Sequence, residues 1–157
     1  MDVTLGDAFA SRTHLSPTWW DDLHCLWSNV KIYLRVCWLR TISGAWTTTH
    51  RMGEERVWQC MFGCPNEDDN LLHYLVCPIL WQIACGVFKG EESLSVSERL
   101  CLQSPSVVKL QRLSVCHSVY HACKNHPACT VNGFPASALI VQNRGYEFSR
   151  AMKHLAL

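Results

Sequence analysis

The sequence has few charged residues, few glycines and prolines, and no long uninterrupted hydrophobic run. Charged residues make up only 17% of the 157 residues, and there are eight glycines and six prolines, whereas 48% of the residues are hydrophobic. This composition excludes a disordered chain and a collagen-like repeat, since both need a far larger share of polar residues or of glycine. The length excludes two large domains and is enough for one domain with a hydrophobic core.

Membrane-spanning and secretory segments are also missing from the sequence. The most apolar stretch begins at Leu23 and is interrupted by Lys31, Arg35 and Arg40, so it falls short of the roughly eighteen uncharged residues that span a bilayer. Residues 1–10 include two aspartates and have neither the basic region nor the apolar region of a signal peptide. We therefore expect an intracellular protein, nuclear or cytoplasmic, with no membrane partner.

Known catalytic motifs are absent as well. The sequence has no glycine-rich phosphate loop, no nucleophile elbow and no Ser-His-Asp signature. The segment Trp19-Trp20-Asp21-Asp22 is similar to the aromatic-x-Asp-Asp pattern of a polymerase catalytic hairpin, in which the paired carboxylates bind metal ions. However, Pro17 and the helical period around it place both aspartates in the first turn of a helix, where they stabilise the positive end of the helix dipole. We expect that the chain is not an enzyme.

Apolar residues that recur at spacings of three and four predict a mainly α fold. One amphipathic helix is predicted over 17–43, a short one over 97–102, a second long one from after Pro105 to about Lys124, and a final one over 145–157, with a loop at 125–135. The first helix is expected to supply the hydrophobic core. The apolar stripe that it presents consists of Trp20, Leu23, Trp27, Val30 and Leu34.

Cysteine is far more frequent than in ordinary proteins, with ten residues. In a reducing compartment these cysteines are expected to be buried thiols or metal ligands rather than disulfides. Four candidate ligands follow a C-x3-C-x8-H-x3-C pattern, namely Cys60, Cys64, His73 and Cys77. Gly63 lets two thiolates converge, and His73 and Cys77 are four residues apart on one face of a predicted short helix, so that the four can form a tetrahedral zinc site. The alternative is a zinc-like spacing that arose by accident in a cysteine-rich chain.

A second cysteine- and histidine-rich stretch lies in the predicted second long helix and just after it. Its candidate ligands are Cys116, His117, His121, Cys123, His126 and Cys129. Their spacing suits no common closed metal site. We favour a helix with buried thiols and exposed imidazoles, and a second metal site is the alternative.

The first of these patterns also resembles a known family. Cys60-x3-Cys64 followed by His73-Tyr-Leu-Val-Cys77-Pro78 is similar to the CCHC zinc-finger segment that lies C-terminal to the reverse-transcriptase domain of non-LTR (LINE-like) retrotransposon polyproteins, here as a degenerate fragment. The resemblance covers residues 30–82, and the His73-x3-Cys77 spacing is one residue shorter than in some members. It implies a zinc ion and contact with nucleic acid. The polymerase palm and fingers and the clustered carboxylates of an endonuclease are absent, so no catalytic activity is implied for this chain.

Three regions follow from these observations: a thumb-like N-terminal lead-in at 1–56, a CCHC zinc module at 57–82 and a basic helical region at 83–157. Residues 101–157 carry six basic side chains against one acid, Glu147. The predicted phosphate contacts are Lys109, Arg112, Lys124, Arg144, Arg150 and Lys153. The aromatic residues near the finger that can stack on bases are Trp58, Phe62 and Tyr74.

The leading hypothesis is a non-catalytic zinc-binding module of a retroelement polyprotein that binds RNA or DNA weakly and without sequence preference. One alternative is a zinc-stapled helical module that docks a protein partner through its tryptophan-rich helix. In that case the basic residues form an ordinary solvated face. Another alternative is an inert relic of the retroelement.

Overall fold

Helices form most of the described chain, which confirms the predicted mainly α fold class. The computed structural model describes residues 17–86 and 94–156, with side chains up to residue 152. The α-helices of these ranges are α1 (Trp19–Asn29), α2 (Ile32–Ile42), α3 (Thr49–Met52), α4 (Leu71–Val76), α5 (Pro78–Cys85), α6 (Val96–Arg99), α7 (Val107–Asn125) and α8 (Ala138–Ala156). None of the described helices is both long and apolar enough to cross a bilayer.

Helix α7 lies at the centre of the fold. It packs against α2, α5, α6 and α8, and twelve of its 19 residues are buried. One cluster of buried side chains runs from Leu23 to Val141 and includes residues of all three predicted regions. The largest fully buried side chains include Trp46, Phe62, Tyr74 and Tyr120. The predicted helix over 17–43 supplies only part of the core. Leu23, Val30 and Leu34 of its stripe are buried, but most of the core comes from α7 and from the segment between Trp46 and Ala84.

The predicted helix over 17–43 is in fact two helices. Val30 is extended, with φ −105° and ψ 153°, and the Arg35 guanidinium donates hydrogen bonds to its carbonyl. Just before the break, the side chains of Ser28 and Asn29 donate to backbone carbonyls of the preceding turn, an alternative to ordinary helix geometry. Within the predicted stripe, Trp20 is 59% exposed instead of buried, and Trp27 is half-buried, with its ring edge-on to Trp38.

The first turn of α1 contains Asp21 and Asp22, as predicted from the sequence. Two tryptophans attach this pair of helices to the turn that follows α6. The indole Nε1 of Trp19 donates to the Cys101 carbonyl at 3.0 Å, and that of Trp38 donates to the Leu100 carbonyl at 2.7 Å.

The chain after α7 differs from the predicted loop and final helix. A 3₁₀ turn (Pro127–Cys129) leads into a two-stranded antiparallel ribbon of β1 (Thr130–Val131) and β2 (Phe134–Pro135). Asn132 and Gly133 connect the strands with φ of 52° and 79°, the left-handed pair that an Asn-Gly hairpin turn requires. Helix α8 then begins at Ala138, well before the predicted start at Gly145.

The short helix predicted over 97–102 begins and ends earlier in the structure. Helix α6 is capped by Ser95, and the Glu98 side chain completes a capping box. The helix α7, predicted to end near Lys124, ends at Asn125.

Candidate metal centre

The four predicted ligands meet at one buried site. The ligand atoms of Cys60, Cys64, His73 and Cys77 all lie within 4.8 Å of one another, and all four residues are buried. Within the described ranges this is the one group of three or more Cys, His, Asp or Glu side chains close enough to hold a metal ion. The arrangement can therefore bind a metal.

His73 is placed by helix α4, the short helix that the sequence predicts around it. Asn70 is the N-cap, and its side-chain oxygen accepts a hydrogen bond from the His73 backbone N–H at 2.8 Å. The ring of His73 then points back along the short helix toward the thiols of the preceding loop, since side chains on a helix tilt toward its N-terminus.

Cys77 is not on the same helix as His73, which corrects the predicted i, i+4 arrangement on one helical face. Helix α4 ends at Val76, and Cys77 is the junction residue, with φ −55° and ψ 111°. Pro78 then occupies the first position of α5 instead of merely ending α4. The Sγ of Cys77 accepts the backbone N–H of Leu80 at 3.5 Å, so the thiol lies at the start of α5.

The loop that carries Cys60 and Cys64 is held closely against α8. Gly63 has φ +92°, and a Cβ atom there would lie 2.5 Å from the Cβ of Ala138. The Gln142 side chain donates a hydrogen bond of 2.7 Å to the Phe62 carbonyl. Only glycine combines this left-handed conformation with such a close approach, so Gly63 lets the loop turn and bring both thiols to the same side.

The protonation of the site suits a cation. The hydrogen bond between the Cys60 and Cys77 sulfur atoms lowers the pKa of Cys60 to about 4. The same hydrogen bond raises the pKa of Cys77, and burial raises the pKa of Cys64. The site thus stabilises one thiolate through a neighbouring proton, and a divalent cation can take the place of such protons because metal binding releases them from thiols.

His73 has a partner on one ring nitrogen and none on the other. Its Nδ1 lies 3.3 Å from the Glu67 carboxylate, and its Nε2 is buried with no hydrogen-bond partner. Metal-binding histidines typically donate their second N–H to a carboxylate in this way, which fixes the ring orientation and the tautomer. The orphaned Nε2 is therefore the atom available to a metal.

A buried carboxylate beside the centre was missed by the sequence analysis. Asp69 is fully buried. Its Oδ1 accepts from the hydroxyls of Tyr74 at 2.7 Å and Tyr120 at 2.9 Å. Its Oδ2 accepts from the Thr49 backbone N–H at 2.6 Å and lies 3.3 Å from Lys124 Nζ. Asp69 thereby joins the loop before α4 to helix α7 and to the start of α3.

Comparison with known proteins finds no relative of this chain. No family model matches the chain, and no curated protein or solved structure is significantly similar to it.

The six predicted phosphate-binding residues do not form one surface patch of free cations. Arg112 is only 2% exposed, which removes its side chain from any surface. The amines of Lys109 and Lys124 are engaged by carbonyls and carboxylates. Arg144 is paired with Glu147 at 2.7 Å, Arg150 is exposed, and the side chain of Lys153 lies outside the described part of the structure.

The aromatic residues predicted to stack on bases are mostly in the interior. Phe62 and Tyr74 are both 0% exposed, so they pack in the interior, which is the alternative to base stacking for aromatic residues of a small zinc module. Trp58 is half-buried, and Lys124 Nζ lies 4.9 Å from its ring centroid. Stacking by Phe62 and Tyr74 is thus excluded in this structure.

The second cysteine- and histidine-rich stretch has buried thiols, as predicted. Cys116, Cys123 and Cys129 are all fully buried. The prediction of exposed imidazoles is wrong for His117, which is 6% exposed and lies on the face of α7 toward α2. His126 serves as a cap, because its Nδ1 accepts the Ala128 backbone N–H at 3.1 Å.

Proposed function

We propose that Cys60, Cys64, His73 and Cys77 hold one structural zinc ion. The spacing of the thiols carries this proposal. The Sγ of Cys77 lies 3.9 Å from that of Cys60 and 3.6 Å from that of Cys64. With Zn–S bonds of about 2.3 Å, a tetrahedral site requires sulfur atoms about 3.8 Å apart.

The ligand set supports a structural role for the zinc ion. Three thiolates and one imidazole complete a four-coordinate site and leave no position for a substrate, as in other structural zinc sites. The ligands come from the loop at 60–64, from α4 and from the junction before α5. A zinc ion held by them would link the loop at 60–64 to α4 and to the start of α5. Through the contacts of Gly63 and Gln142, it would also keep this loop packed against α8.

Substitution of cobalt for zinc tests the ligand set directly. The metal-free protein is titrated with Co²⁺ under reducing conditions, and the absorption spectrum is recorded. We expect sulfur-to-cobalt charge-transfer bands and strong visible bands of a tetrahedral site, which Zn²⁺ then removes by displacement. The variant His73→Ala should shift the visible bands, whereas His24→Ala, at an exposed position of α1, should not. Weak, octahedral-type bands in the native chain would overturn the proposal.

We further propose, on the spacing of the CCHC motif and on the remaining surface cations, that the zinc module is a retroelement-derived segment with weak nucleic-acid affinity. The described residues supply a modest surface for it. Arg150 is exposed, and Arg144 shares its charge with a half-exposed glutamate. Binding would therefore be electrostatic and sequence-independent, with phosphate contacts and little base stacking.

Anisotropy of a labelled single-stranded 20-nucleotide RNA tests this proposal. We expect weak binding by the zinc-loaded protein that falls steeply as salt rises from about 50 to 200 mM, because counterion release supplies most of the affinity. The double variant Arg144→Gln/Arg150→Gln should bind less tightly, and the matched control Arg51→Gln, an exposed cation outside the predicted set, should bind as the native chain does. No detectable binding at low salt would overturn it.

A protein-interaction module is the second candidate, and the exposed face of α2 favours it. Ile32 is 72% exposed, Leu39 is 46% exposed, and Trp20 on the neighbouring helix is 59% exposed. Apolar side chains so exposed on adjacent helices are typical of surfaces that contact another macromolecule. If the RNA experiment fails while the zinc experiment succeeds, this candidate takes precedence.

A further inference from the structure

A groove of about 660 Å³ lies between α2 and α7, and the metal ligands take no part in its lining. Its volume is in the range of small-molecule sites. One wall comes from α2, where Ile32 and Val36 are apolar and exposed to solvent and Arg40 is charged. The opposite wall comes from α7 and is polar. The groove therefore has apolar, polar and charged side chains around one volume that is open to solvent.

Two histidines of α7 form the polar wall and are held in place from behind. The rings of His117 and His121 lie 4.3 Å apart, centroid to centroid. The ring of Trp46 makes edge contacts with both, at 5.5 Å and 5.8 Å. Cys37 lies at the floor of the groove, with its Sγ 3.6 Å from His117 Nδ1. This packing makes the wall rigid rather than adaptable.

The polar wall has an unused hydrogen-bonding atom. His117 is 6% exposed, and its Nε2 is buried with no hydrogen-bond partner. The Nδ1 of His121 is already bonded to the His117 carbonyl at 2.8 Å. A buried polar atom without a partner is costly and rare in folded proteins, and the residue that carries this atom is one of those that line the groove.

Arg40 supplies the charge of the groove. Burial lowers the pKa of His117 to about 3 and also lowers the pKa of His121, so that both rings are neutral near pH 7. Arg40 lines the groove and is exposed, and it takes part in none of the ion pairs between described residues. No Asp or Glu is among the groove-lining residues. The groove therefore has one free guanidinium and no competing carboxylate.

We propose that the groove between α2 and α7 binds a small organic anion, a carboxylate attached to a compact apolar group. The guanidinium of Arg40 matches a carboxylate in geometry and binds it through two parallel hydrogen bonds. The apolar group of such a ligand would lie against Val36 and Ile32 and cover part of their exposed surface. This binding site is independent of the proposed zinc ion.

Calorimetric titration of the zinc-loaded protein with benzoate, benzamide and acetate tests the proposal. Benzoate has both features of the proposed ligand, benzamide lacks the charge, and acetate lacks the apolar ring. We expect benzoate to bind at least tenfold more tightly than either of the others. The imidazole NMR signals of His117 and His121 should shift as benzoate is added. These shifts should saturate at the same benzoate concentration as the calorimetric signal.

Two variants separate binding in the groove from binding elsewhere. Arg40→Gln should remove the preference for benzoate over benzamide, and Val36→Asp, at a position 38% exposed, should abolish benzoate binding by repulsion without loss of the fold. The control Arg51→Gln changes an exposed arginine that does not line the groove and should bind benzoate normally. Equal binding of benzoate and benzamide, unchanged binding by Arg40→Gln, or no benzoate binding at millimolar concentrations would overturn the proposal.

Discussion

Replacing Asp69 by asparagine should strongly destabilise the protein. The buried carboxylate accepts hydrogen bonds from Tyr74, Tyr120 and the Thr49 backbone, and it faces the amine of Lys124. Asparagine has nearly the same shape, but an NH₂ group replaces one of the two oxygens. If the NH₂ group takes the place of Oδ2, the Thr49 N–H and Lys124 Nζ face another donor. If it takes the place of Oδ1, the Tyr74 and Tyr120 hydroxyls lose their charged acceptor and must turn to accept from the NH₂ group.

The magnitude follows from the bonds that are lost. Each hydrogen bond to a charged acceptor contributes about 1.5 to 3 kcal/mol, so two lost bonds amount to about 3 to 6 kcal/mol. The Lys124 side chain is 11% exposed, and partial access to water offsets some of the cost of leaving its charge unpaired. We therefore expect Asp69→Asn to lower the free energy of unfolding by about 3 to 5 kcal/mol.

Urea unfolding of the zinc-loaded protein, followed by tryptophan fluorescence, measures this loss. The control is Asp68→Asn, which makes the same chemical change at the preceding, exposed residue and should cost less than about 0.5 kcal/mol. A loss of under about 1 kcal/mol for Asp69→Asn would refute the reasoning, because it would mean that the four donors find other acceptors or water.

Three further changes test the surroundings of the metal centre and the core. Gly63→Ala should lower the free energy of unfolding in urea by at least about 2 kcal/mol and weaken zinc retention, since it adds a Cβ in a left-handed conformation next to α8. The control Gly53→Ala, also left-handed but with open space around it, should lower it by only about 1 kcal/mol. Glu67→Gln should weaken zinc binding about tenfold in a chelator competition, because the partner of His73 Nδ1 loses its charge, and unchanged affinity would contradict that role. Trp46→Ala should lower the free energy of unfolding by about 3 to 5 kcal/mol, and Trp27→Ala by about half as much, because Trp46 is the more deeply buried of the two. A larger loss for Trp27→Ala than for Trp46→Ala would contradict the described core.

The metal ligands could be predicted because the residues that position them are close to them in the sequence. A short loop with Gly63 and a capped helix after Asn70 determine where Cys60, Cys64 and His73 lie, and both signals are within eighteen residues of sequence. Even here the backbone at Cys77 differed from expectation. Pro78 is compatible both with the end of one helix and with the first turn of the next, and the sequence pattern alone does not distinguish the two.

Features that depend on distant contacts were not predictable. No glycine or proline marks the break at Val30, which depends on the packing of Trp27 against Trp38 and on the Arg35 hydrogen bonds. In the sequence Asp69 is one of several acids in a polar turn, and its burial depends on partners that are distant in sequence, such as the Tyr120 hydroxyl, 51 residues away.

The ribbon after α7 has a local sequence signal, although the sequence predicted a loop there. Asn132-Gly133 is the strongest short hairpin signal in a sequence, yet the flanking strands have two residues each, too few for an alternating pattern. By contrast, α7 was predicted nearly to the residue, because its 19 residues repeat the apolar spacing over five turns.

Zinc stoichiometry by native mass spectrometry tests the central claim most directly. The protein is purified under reducing conditions with zinc present, and its mass is measured in native and in denaturing solution. The claim predicts one zinc ion per native chain and none in Cys64→Ser/Cys77→Ser, while the control Cys25→Ser/Cys85→Ser, which changes two thiols outside the centre, retains one. A native chain without zinc, or a Cys64→Ser/Cys77→Ser variant that still carries one equivalent, would contradict it.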